Sequence, residues 1–255
     1  MRTSWLTLLL AALLANAAFA QIRVVTTQGE ETDLARAPSF NDLIQGKIAT
    51  ELPGDMGWHP VNTDPRDRLQ AFTDGILERA LFTGLLNDFP GAGNPAKRIQ
   101  YDLGGPKRID EIRVFSGNVD RNGRVFHTYT VFFSRDGGQN FEFIAYVQSH
   151  PSGTINTPNI NRWRFALTQL YNLSGPLGTG VTHIRFHLYA VDNLGGQMRD
   201  PYDGVNPFTG VDDRLTAAFV SPKILEIDVV PEPASIGVLG FGVIALWLRR
   251  RLTRS

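Results

Sequence analysis

The sequence predicts an all-β sandwich, and three observations carry that expectation. From residue 98 onward, apolar and polar residues alternate over short runs, the period of a strand with one buried face. Clusters of Gly, Pro, Asn and Asp separate these runs, and Asp136-Gly137 between two of them is a hairpin signal. Helical spacing occurs only over short stretches, and short strands without long helices form sandwiches or barrels. Sixteen Phe and no Cys fit a core of aromatic and aliphatic inward faces held without disulfides.

The chain opens with Arg2, an apolar stretch from Trp5 to Leu14, and Ala18-Phe19-Ala20. A charged start, a short apolar run and small residues read as a signal peptide over 1–20, so signal peptidase leaves Gln21 as the first mature residue. Residues 21–39 form an N-terminal extension. Its run Ile22 to Thr27 is β-prone, and the polar remainder is expected to be only partly ordered.

A Pro- and Gly-rich loop then carries Trp58 and His59, and Thr73-Asp74-Gly75 signals a turn. The stretch from Ile76 to Asn87 has some helical spacing but is short, and a packed loop fits equally well. Strands are expected at Arg98–Leu103, Ile109–Phe115, Tyr129–Ser134, Phe141–Val147, Arg162–Leu167, Thr182–Tyr189 and Lys223–Val230. The segment from Asn193 to Thr216 is a long insert whose Asp200, Asp203, Asp212 and Asp213 read as solvated turn residues. On the strand 182–189, His183, Arg185, His187 and Tyr189 share one outward face by the period of two. A polar outward face and a sugar-binding face are both open there.

The C-terminal stretch is the most specific. Pro231-Glu232-Pro233 precedes the apolar run Ala234–Leu248, followed by Arg249, Arg250 and Arg251. The flanking prolines keep Glu232 extended and accessible. Fifteen apolar residues make a helix of about 22 Å, short for a span of about 20 residues. Arginines that snorkel outward extend its reach and hold the C-terminus in the cytoplasm. An ordinary tail anchor is the alternative. These residues in this order resemble the PEP-CTERM sorting signal of Gram-negative bacteria, covering 230–255. The resemblance implies a single transmembrane helix at 234–248 and an Arg-rich cytoplasmic tail at 249–255. It further implies an inner-membrane intermediate, cleavage by an exosortase near the motif, and delivery to the cell surface or extracellular matrix.

Charge separates the signals from the domain. Residues 21–233 hold twenty basic and twenty-five acidic residues, a net −5. A mildly acidic exported domain is a poor nucleic-acid binder, and no nucleic-acid partner is expected. The chain has no G-x-S-x-G, HExxH or phosphate-loop motif, so catalysis is not expected.

Several motifs along residues 40–229 resemble the discoidin, or coagulation-factor type C, family of galactose-binding-like jelly rolls. Asn41-Asp42-Leu43 with Gly46-Lys47 resembles its opening strand, and Asp74-Gly75 its early turn. Ile99 to Gly104, Tyr129 to Gly137, His183 to Phe186 and Ile224 to Val229 resemble later strands in order. The resemblance implies a jelly-roll β-sandwich and a structural calcium held by Asp74 and Glu226, carboxylates of the kind Ca²⁺ prefers.

Sugar binding needs exposed aromatics beside polar groups. Trp58, His59, His127 and Arg162 are the candidate ligand residues. Trp163 is a further aromatic, expected in the core. The expected function is an exported, non-catalytic surface or matrix protein that contacts exopolysaccharide or another glycan. A structural or adhesive matrix protein without a specific glycan ligand is the alternative, and a glycan-active enzyme the remote one.

Overall fold

The computed structural model describes residues 21–30, 38–77, 81–118, 120–160 and 163–231. The signal peptide 1–20, Arg162 and everything from Glu232 onward lie outside these residues. Among the described residues no helix is long and apolar enough to cross a membrane.

Nine strands follow in chain order: β1 (Ile22–Gly29), β2 (Thr50–Glu51), β3 (Lys97–Ile109), β4 (Glu111–Gly117), β5 (Thr128–Ser134), β6 (Glu142–Gln148), β7 (Phe165–Asn172), β8 (Gly178–Tyr189) and β9 (Ile224–Val230). They form two antiparallel sheets, β1-β7-β4-β9 and β2-β3-β8-β5-β6. The all-β architecture expected from the alternation is present.

The alternation also explains the core. Ile99, Tyr101 and Leu103 of β3, Tyr129, Val131 and Phe133 of β5, and Ile184, Phe186 and Leu188 of β8 point inward. They meet Ile112 and Val114 of β4, Leu170 of β7, and Ile227 and Val229 of β9. Full burial of each such side chain stabilises by roughly 1.5–3 kcal/mol. A smaller cluster of Leu77, Phe115, Phe165, Leu167 and Leu225 packs elsewhere on the four-stranded sheet.

Three expectations need adjustment, and one open choice is decided. The extension at 21–39 supplies β1, paired with β7 over its whole length from Ile22↔Asn172 to Gly29↔Phe165. The sheet needs an edge partner for β7, and the run Ile22–Thr27 is β-branched enough to provide it. The strand expected at Arg162–Leu167 runs from Phe165 to Asn172. Its inward residue Leu170 lies beyond the predicted end. The segment at Asp42–Gly46 is a turn rather than an opening strand, tied to β9 by Leu43 N–H donating to Val229 O at 2.9 Å. Finally, the described residues 81–87 are a packed loop. Gly84 sits at φ +67° with a Cβ position 1.6 Å from the Ile224 carbonyl oxygen. Only glycine lets this loop approach β9 so closely.

The long insert folds back over the outer side of the five-stranded sheet. Asn206 donates to the Tyr146 hydroxyl at 3.0 Å, and the ring of Phe208 stacks on Tyr146 with centroids 4.8 Å apart.

Candidate functional site

The chain segments 81–89, 118–124 and 221–223 converge beside the start of β9. Together they enclose a cleft of about 150 Å³ lined by Phe82, Asn118, Asp120, Asn122, Arg124 and Lys223, among others. Each polar lining group has a local reason to be there. Asn118 follows the last residue of β4, and its amide donates to the Asn122 carbonyl, which closes the loop. Arg124 is fixed by Asp88, with Nη2 to Oδ2 at 2.9 Å, and by the Ser221 carbonyl at 2.7 Å. Burial pushes the Lys223 ammonium down to about 8. Phe82 supplies an exposed aromatic edge. An aromatic flanked by amide, carboxylate and guanidinium groups suits a small polyhydroxylated ring.

The sequence candidates fall around this cleft unevenly. His59 Nε2 lies 3.7 Å from Asp88 Oδ2, so it stands one residue behind Arg124. Trp58 is half-buried; its indole donates to Glu51 at 2.8 Å, and its ring packs on Phe72 and under the Lys97 ammonium. It braces the β2–β3 side rather than presenting a free ring.

His127 requires a correction. It is fully buried between the sheets and is a core residue, not a ligand residue. Its Nδ1 is 2.5 Å from Ser116 Oγ, and its Nε2 is 2.8 Å from Thr168 Oγ1. Ser116 donates to the Val125 carbonyl, so Nδ1 must carry the proton and Nε2 accepts from Thr168. Tyr129 completes the chain at 3.4 Å from Thr168. Every group is then satisfied by a neutral ring, and burial lowers the His127 pKa to about 3. Trp163 corrects in the other direction. It is 40% exposed, beside the His150 ring at 6.0 Å. Arg162 lies outside the described residues.

The carboxylates expected to hold calcium are arranged differently from the sequence pairing. Glu226 is fully buried and accepts the Gly75 N–H at 2.9 Å, which links β9 to the Asp74-Gly75 turn. Asp74 accepts from its own turn, the Ile76 N–H at 3.0 Å. The residues whose oxygens gather within 4.8 Å are Asp42, Glu226 and Asp228. Asp42 Oδ1 takes the Val229 and Ile44 N–H groups, and Asp228 Oδ2 takes that of Ser39. Asp42 Oδ2 and Asp228 Oδ1 are buried without a hydrogen-bond partner. Burial raises the Asp42 carboxyl to about 6 and, with the neighbouring Asp42, the Asp228 carboxyl to about 7. Three clustered carboxylates, with the Asp42 and Asp228 oxygens unengaged, are the donor set a hard cation takes. Asp42 and Asp228 are the members of this cluster that sequence reasoning missed. The place of Asp42 in the turn before Leu43 was visible, but its contact with β9 was not.

Pro231 lies at the rim of a groove of about 600 Å³ on the four-stranded sheet, with Arg108, Asp110, Glu111, Arg113 and Tyr171 in its lining. The sorting residues Glu232, Pro233, Arg249, Arg250 and Arg251 lie outside the described residues.

Comparison with known proteins adds to this geometry. The model of the PEP-CTERM protein-sorting motif matches residues 229–251, so the chain carries that motif. None of the curated proteins matches the chain. Several solved structures are similar. One is CpGH89CBM32-4 from Clostridium perfringens, at 15% identity and TM-score 0.36, covering 74% of this chain and 98% of that one. Another is the CBM32 of AlyQ in complex with 4,5-unsaturated mannuronic acid, at 16% identity and TM-score 0.35, covering 72% and 96%. A third is a Ruminococcus gnavus GH29 fucosidase in complex with fucose, at 13% identity and TM-score 0.36, covering 79% of this chain and 29% of that one.

Proposed function

We propose that the protein is an exported, non-catalytic cell-surface or matrix protein whose sandwich binds a glycan, with exopolysaccharide as the natural ligand. Its C-terminal segment holds it at the inner membrane until an exosortase cuts near Pro231-Glu232-Pro233. The observation that carries this reading is the sorting motif matched at 229–251, which begins within the last two residues of β9. The cleft of Phe82, Asn118, Asp120, Asn122, Arg124 and Lys223 supports glycan binding. Calcium belongs to the same proposal, with Asp42, Glu226 and Asp228 as its side-chain ligands.

The test has two arms. In cells with and without an exosortase, the intact mass of the recovered protein is expected to differ by loss of the segment after the motif. An unchanged mass would remove the processing reading. A glycan array on the purified protein should give discrete hits that weaken in Phe82→Ala and Asn122→Ala. A blank array favours the structural matrix protein.

A further inference from the structure

The outer face of the five-stranded sheet carries a cationic and aromatic arrangement that the loop cleft does not use. The strand register sets it out in rows. Arg98, His187, Thr130 and Tyr146 stand side by side across β3, β8, β5 and β6. The next row is Gln100, Arg185, Phe132 and Phe143. Strands lie about 4.8 Å apart, so this row extends roughly 14 Å across the sheet.

The bulge between Val131 and Phe132 is what turns Phe143 and Tyr146 to the same side. Phe132 packs between His187 at 4.9 Å and Phe143 at 5.7 Å. Phe208 from the insert stacks on Phe143 at 5.3 Å and 17°. Phe143 and Phe208 are 46% and 39% exposed, an unusual state for two stacked Phe rings.

The two arginines are held but not neutralised. Arg185 donates from Nε and Nη2 to the Gln100 amide oxygen at 3.2 and 2.8 Å, and its guanidinium lies 3.7 Å from the Phe141 ring centroid. Arg98 donates to the Pro53 carbonyl at 3.1 Å, and its Nε is buried without a partner. His187 Nε2 is likewise buried and without a hydrogen-bond partner. Among the described residues neither arginine has a carboxylate within ion-pair distance. Nearby acids are engaged elsewhere: Asp55 takes the Arg98 backbone N–H and faces Lys97, and Asp102 faces His183 at 3.9 Å.

We infer that this face is a binding platform for a carboxylated polysaccharide, a uronic-acid polymer laid across β3, β8, β5 and β6. Its carboxylates would meet the Arg98 and Arg185 guanidiniums, and the apolar faces of its sugar rings would meet Phe143 and Phe208. Guanidinium–carboxylate pairing is short, directional and strong. Neutral acceptors position both guanidiniums without cancelling their charge. Nucleic acid fits less well, because the segment 21–233 as a whole carries net −5. The inference rests on the glycan-binding reading but concerns a surface separate from the loop cleft.

The experiment is affinity electrophoresis of the full-length protein in detergent. Gels contain polygalacturonate, the same polymer after carboxyl reduction, a neutral galactan, or dextran sulfate. Retention by polygalacturonate is expected to fall at least tenfold in the Arg98→Gln/Arg185→Gln double variant and in Phe143→Ser. It should stay intact in Arg113→Gln, on the other sheet. Absence of retention by polygalacturonate, equal retention by the reduced polymer, or equal retention by dextran sulfate would each overturn the assignment. The reduced polymer tests the wild-type protein itself, so misfolding of a variant cannot mask the answer. Galactan binding that persists while the polygalacturonate arm fails would sink this platform and leave the loop-cleft reading standing.

Discussion

The two outward faces of the sandwich are built from similar strands and differ in how their charges are matched. On the four-stranded sheet, Arg113 pairs with Glu111 at 2.8 Å, and Gln169 donates to the same carboxylate at 2.6 Å. On the five-stranded sheet, Arg98 and Arg185 are held by a carbonyl and an amide oxygen. Both arrangements fix the side chain in place. Only the second leaves the positive field outside the protein, where a ligand can use it. Counting arginines does not distinguish the two faces; their acceptors do.

The comparison can be broken or sharpened by substitution, starting with the largest effect. Gly84→Ala drives a Cβ into the Ile224 backbone at a left-handed φ. It should cost about 3 kcal/mol or more, lowering Tm by roughly 10 °C in a thermal melt. Because the clash lies against β9, polygalacturonate retention well below the melt should be unchanged. If retention falls as well, the two faces are not independent.

His127→Ala lies between the sheets and should weaken both faces together, by about 2–3 kcal/mol in denaturant unfolding, as buried partners lose their bonds. The His127 pKa is lowered on folding, from 6.5 to about 3. The unfolded chain therefore binds more protons between those values. Stability from this group is complete above pH 6.5 and is lost as pH falls toward 3, by at most about 1.4 kcal/mol per pH unit. In His127→Gln that acid limb should flatten. An unchanged limb would assign the pH dependence to another group.

Calcium is expected to raise the Tm of the wild-type protein and to leave that of Asp228→Asn unchanged in differential scanning fluorimetry. A wild-type Tm insensitive to millimolar Ca²⁺ would remove the cation from the Asp42–Glu226–Asp228 cluster. The smallest effect should come from Glu111→Gln, which keeps an acceptor for Arg113 and Gln169 and should cost about 1 kcal/mol. It would replace the Glu111 carboxylate beside Arg113 with a neutral amide. New polygalacturonate retention in that variant would show that charge matching alone separates the faces.

The sheets were legible in the sequence because period-two alternation reports burial directly. Ile184, Phe186 and Leu188 were inward in both pattern and structure. Of the set expected outward, His183, Arg185 and His187 were equally legible, but Tyr189 is buried against Tyr202 of the insert; the choice between a solvated and a sugar-binding face was also legible. The aromatic half of the platform was not. Phe143 faces outward only because a bulge against β5 shifts its phase, and Phe208 arrives from an insert some sixty residues later. The carboxylate cluster was half visible for the same reason. Glu226 came from the discoidin resemblance, whereas Asp42 joins it through a turn that contacts β9 and Asp228 stands two residues on along that strand. Burial of His127 was invisible, because its polar partners Ser116 and Thr168 come from two other strands.

The register of β9 has one mechanical consequence. The strand is laddered to β4 through Val230↔Glu111, and the apolar run begins at Ala234. Only Pro231, Glu232 and Pro233 bridge the two, a leash of roughly 10 Å at full stretch. If the apolar run enters the membrane as proposed, this leaves the sandwich little slack from the headgroups. If an exosortase cuts near the motif as proposed, it must work close to folded protein and release the domain with a short tail.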